Sequence, residues 1–99
     1  MVRIELAPEV LQDFDRILEH LKQHQVADMS ERIDGIVEAL QILSHSPLIG
    51  RPDSRGQREL LIGQGSRAYV ARYQYLPDLA TAFVLAIRSQ RESGFKRDP

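Results

Sequence analysis

Five arginines in the second half of the chain, Arg58, Arg67, Arg72, Arg88 and Arg91, are its best-equipped residues for chemistry. A guanidinium stays charged at every physiological pH and grips phosphate or carboxylate through parallel hydrogen bonds. Carried on adjacent strands, which lie about 4.8 Å apart, such side chains can converge on one anion. That anion would be a nucleic-acid backbone or an acidic protein segment. A plainer alternative stands beside it: arginines on an exposed sheet face lay their stems over apolar neighbours. The end of the chain sharpens the question. In "LAIRSQRESGFKRDP" an apolar run passes into Arg88, Arg91, Lys96 and Arg97, set against only Glu92 and Asp98. The net charge of −1 hides the same asymmetry. Residues 1–50 carry four Lys+Arg and nine Asp+Glu, a balance of −5, and residues 51–99 carry nine and five, a balance of +4. A basic half of this kind steers anionic partners.

Other chemistries find no support. "GQGS" lacks the length and the lysine of a phosphate-binding loop, and there is no G-x-S-x-G. His20 and His24 share a helix face, but no acidic residue of the zincin pattern separates them and no third ligand is evident. A solvated helix end is the better reading, and His45 stands near a second helix end. No metal and no cofactor is expected. Tyr69, Tyr73 and Tyr75 fall on one face of a strand by period two, where they either stack on bases or fill the sheet face.

The elements that must position these residues follow from patterning. Ninety-nine residues, 42% hydrophobic and 27% charged, make one small domain over 1–99. Cysteine is absent, which suits a reducing cytoplasm. "MVRIELAPEV" has no apolar segment of the signal-peptide kind, and no apolar run approaches a membrane span. "VRIEL" alternates as a half-buried strand does. Pro8 then opens a helix of about residues 8–24, whose stripe is Val10, Phe14, Ile17, Leu18 and Leu21, with Asp13, Asp15, Arg16, Glu19 and Lys22 covering the rest. Asp28 and Glu31 have capping-box spacing, with Ser30 as a competing cap, before a stripe of Met29, Ile33, Ile36, Val37, Leu40 and Leu43. Gly35 beside that stripe suggests close approach of the first helix. "SHSPLIGRP" ends the second helix. "RELLI", "RAYVARYQYL" and "TAFVLAIRS" then read as three strands joined by short turns. The expected fold is α+β, in the order β-α-α-β-β-β: a strand, an antiparallel helical hairpin, and a three-stranded antiparallel meander, with the hairpin on one face of the sheet.

"IELAPEVLQDFDRILEHL", "LSHSPLIGRP", "RELLIGQGSRAYVARYQYLPD" and "FVLAIRSQRES", in that order and spacing, resemble the RelE/ParE superfamily of bacterial toxins. The resemblance implies the same fold, a type II toxin–antitoxin pair, growth inhibition, plasmid stabilisation, and a cognate antitoxin whose extended C-terminal region wraps the toxin. RelE-like members cut messenger RNA on the ribosome with basic residues and often a C-terminal tyrosine. ParE-like members inhibit DNA gyrase. Arg58 fits a basic position of the RelE-like set, and Arg88 or Arg91 fits another. Val70 in "YVARY" stands where that set has a basic residue, and Phe95 lacks the hydroxyl a proton transfer requires. The resemblance therefore implies a ParE-like gyrase inhibitor. It places the target- or antitoxin-binding surface among Arg58, Arg67, Arg72, Arg88, Arg91 and Phe95. A ribosome-dependent endoribonuclease using Arg58, Arg88 and Arg91, or an inert binding module, is the alternative.

Overall fold

The computed structural model of the chain describes residues 1–91. Strand β1 (Arg3–Leu6) leads through Ala7 into α1 (Pro8–Gln23), with proline in the first turn where its missing N–H costs nothing. Helix α2 (Met29–Leu40) runs on into a 3-10 turn over Gln41–Ser44. A two-residue strand β2 (Arg51–Pro52), absent from the sequence reading, precedes β3 (Arg58–Ile62), β4 (Tyr69–Leu76) and β5 (Thr81–Ser89). The five strands form one sheet in the order β1-β5-β4-β3-β2.

The sheet is mixed, not antiparallel throughout. Strand β1 lies at one edge and pairs parallel to β5, with Arg3 across from Thr81 and Leu6 across from Val84. Parallel neighbours need a long crossover, and the helical hairpin with the meander supplies it. Flanked on both sides by β1 and β4, β5 carries the most continuous apolar run of the strands.

The core forms where the hairpin covers one face of the sheet. Val10, Phe14, Ile17 and Leu21 of α1, Ile36 and Leu40 of α2, and Leu43 meet Ile62, Tyr69, Ala71, Tyr73, Ala82, Val84 and Ile87. Tyr75, partly buried, packs against this cluster, so all three tyrosines of β4 contribute to the helix-covered face. Where Arg72 pairs with Ala86 and Tyr73 with Val84, Leu85 is the extra residue of a bulge in β5.

Three expectations need correction. Asp13 is not on the solvent face of α1; it is 3% exposed. Pairing between β1 and β5 ends at Val84, which leaves the next part of β5 without a strand on that side. There the Asp13 carboxylate accepts the Ile87 N–H at 3.0 Å, and the Arg16 guanidinium donates to the Ile87 carbonyl at 3.0 Å. The two side chains bond each other at 2.7 Å, so together they take the place of one more strand residue. Gly35 is exposed with nothing within 4 Å of an added Cβ, so it does not admit α1 closely. The capping box is not formed: Asp28 at the N-cap adopts left-handed φ/ψ of 50° and 38° and makes no side-chain cap.

Candidate functional site

Arg58 opens β3 on the helix-covered face, across from Tyr73. Its guanidinium donates to the carbonyls of Leu48 at 3.1 Å and Gly50 at 2.8 Å. The wholly buried Tyr73 holds the same loop, its hydroxyl donating to the Pro47 carbonyl at 2.8 Å and accepting from the Gly50 N–H at 2.8 Å. Burial pushes the Tyr73 hydroxyl above its ordinary 10.0, against smaller opposing effects of the Gly50 N–H and the Arg58 charge. Just before Arg58, Asp53 accepts the N–H groups of Arg55 and Gln57 at 2.8 and 3.0 Å, which closes the β2–β3 turn. The Arg55 N–H is the main cause that holds the Asp53 carboxyl below its usual 3.8. Arg58 is thereby committed to fastening residues 48–50 onto the sheet.

Arg72 and Arg88 occupy the opposite face. Arg72 sits between Glu59 and Ala86 of its neighbour strands and is 2% exposed, and Arg88 stands across from Val70. Val70 in turn pairs with Leu61, three positions along β3 from Arg58. Arg58 and Arg88 are thus about 10 Å apart along the strands and two strand spacings, about 10 Å, apart across them, and lie on opposite faces. Phe95 lies outside the described residues.

Arg67 and Arg91 come together elsewhere. Arg67 ends the short 3-10 turn over Gly65–Arg67, and Arg91 lies two residues past the end of β5. They line a cleft of about 510 Å³ with Arg32 in the first turns of α2 and with His20 and His24 at the end of α1. Ile17, Leu21, Val26, Tyr69 and Ser89 complete the wall, and among the described residues no acidic side chain contributes. The rings of His20 and His24 lie 4.3 Å apart, and the His24 Nδ1 is 2.9 Å from the His20 carbonyl, to which it donates. Sequence reasoning missed Arg32 and set the histidines aside as a solvated helix end. The short connection between the two helices was the available signal, since it carries the end of α1 to the start of α2.

A second concavity is apolar. Gly35, Glu38 and Ala39 of α2, with Ile42 beyond it, face Leu60–Gly63 across a groove of about 560 Å³. Leu61 is 56% exposed and Ile42 43%. Because β2 pairs only with Arg58 and Glu59, the outer edge of Leu60–Ile62 has no strand beside it among the described residues.

A family model described as the ParE toxin of the type II toxin–antitoxin system, parDE, matches residues 4–94. The chain belongs to this ParE toxin family. Solved structures agree on the fold. The chromosomal ParDE toxin–antitoxin system from P. aeruginosa matches with a TM-score of 0.72 at 19% identity, over 90% of this chain and 96% of that one. The intact E. coli RelBE toxin–antitoxin complex matches with a TM-score of 0.56 at 13% identity, over 93% of this chain and 100% of that one. Among curated proteins no sequence match is found. No helix among the described residues of this ParE-family chain is long and apolar enough to cross a membrane.

Proposed function

We propose that this ParE-family chain is a cytoplasmic toxin that a cognate antitoxin neutralises and that inhibits DNA gyrase by binding it. The family match over residues 4–94 carries this reading. The placement of the arginines supports the choice of target. A nuclease would focus several cations on one scissile phosphate. Here Arg58 fastens a loop, Arg88 lies on the other face, and Arg91 lines a separate cleft. Purified toxin should block gyrase supercoiling and leave messenger RNA uncut on programmed ribosomes. Codon-positioned cuts that vanish in Arg58→Ala, with gyrase unaffected, would reverse the assignment. Expression without growth arrest would point to an inert binding module instead.

The apolar groove and the bare edge of β3 suit the antitoxin. An extended segment adds main-chain hydrogen bonds at such an edge and places alternate side chains in the adjacent groove. The protein should co-purify with the product of a neighbouring small gene. Leu61→Glu, at an exposed position, should weaken that complex while leaving the melting temperature of the toxin unchanged.

A further inference from the structure

The cleft at the connected end of the helical hairpin, where α1 passes into α2, is distinct in place and character from the apolar groove. Its arginines come from three parts of the chain, the start of α2, the turn before β4 and two residues past β5, and the end of α1 adds two imidazoles. Among the described residues, Arg32, Arg67 and Arg91 make no ion pair. Like charges gathered without a counter-charge repel one another, and an anion at their centre relieves that repulsion. The three arginines gather around one half-open cleft, whereas a polymer backbone needs a track of cations along its path.

We propose that this cleft binds a small phosphate-bearing ligand, its phosphate held by Arg32, Arg67 and Arg91. Phosphate fits better than a carboxylate because it carries more negative charge and three acceptor oxygens, which match the forked donors of several guanidiniums. The volume of about 510 Å³ lies in the range of small-molecule sites. The paired rings of His20 and His24 and the apolar wall of Ile17, Leu21 and Val26 leave room for an organic moiety beside the phosphate. The site is independent of the gyrase reading, since it requires only these side chains.

Calorimetric titration of the full chain with pyrophosphate, ATP, a short oligothymidylate and an oligoglutamate peptide tests it. Pyrophosphate and ATP should each bind at one site. Arg67→Ala and Arg91→Ala, both at exposed positions, should weaken binding about tenfold or more without changing the melting temperature. Arg67→Lys should recover part of the loss, because it restores the charge but not the fork. Arg3→Ala, far from the cleft and paired with Glu5, should change nothing. Tighter binding of ATP would identify a nucleotide as the ligand, and equal binding would identify the phosphate group alone; both support the site. Failure of both phosphate probes to bind, an equal loss in Arg3→Ala, or binding confined to the oligothymidylate or the oligoglutamate would overturn it.

Discussion

Tyr73 shows how one buried hydroxyl organises a neighbourhood. It answers both a carbonyl and an N–H of the 47–50 loop, so Tyr73→Phe leaves the Pro47 carbonyl and the Gly50 N–H without that partner. The expected loss is about 1–3 kcal/mol, measured by urea unfolding. The pH dependence has a definite sign. Because the folded hydroxyl ionises above 10.0, the unfolded chain releases this proton first as pH rises. The stabilisation from Tyr73 is therefore complete below pH 10 and is lost as pH climbs toward the folded value. The stability gap between wild type and Tyr73→Phe should narrow in that window; a constant gap would exclude the assignment. Asp13 is the second such residue. Asp13→Ala removes the acceptor for the Ile87 N–H and a partner of Arg16, and should cost about 1.5–3 kcal/mol.

At the scale of elements, two glycines make opposite predictions. Gly35 sits inside α2 with open space where a Cβ would go, so Gly35→Ala should raise stability by about 0.5–1 kcal/mol through helix propensity alone. Destabilisation would mean that α1 or another element approaches there after all. Gly50 is buried, and an added Cβ would lie 2.6 Å from Tyr73 Cε1 and 2.7 Å from its hydroxyl oxygen. Gly50→Ala must displace the ring or the loop, and should cost about 1–3 kcal/mol in chemical denaturation. In "SPLIGRP" the prolines were legible as a helix stop, but the need for glycine was not. It arises from a tyrosine 23 residues later in the chain.

The whole molecule rests on one core between the hairpin and the sheet. Phe14 and Leu40 enter it from different helices at 8% and 1% exposure, whereas Glu19 is exposed. Phe14→Ala and Leu40→Ala should each lower stability by about 2–5 kcal/mol, a large share of the about 5–15 kcal/mol typical of a small domain. Glu19→Ala should leave thermal unfolding essentially unchanged. Equal small effects from all three would refute the packing of the hairpin on the sheet.

Element type and order were legible because they rest on local periodicity. The 3.6-residue stripe from Val10 to Leu21, the alternation in "RIEL" and the turn residues in "GQGS" each act within a few residues of chain. The family was legible from the order of such segments, and the model match bears it out. The parallel pairing of β1 with β5 was not legible, because register between residues some 78 positions apart depends on which edge the folded meander leaves open. Nor was the fate of the arginines. Residue type made all five equivalent, but pairing put Arg58 and Arg88 on opposite faces, and the reversal between the helices brought Arg32, His20 and His24 to Arg67 and Arg91. A guanidinium's role depends on what stands within a few ångströms of it, and for side chains from distant segments that neighbourhood exists only once the sheet and the hairpin have closed on each other.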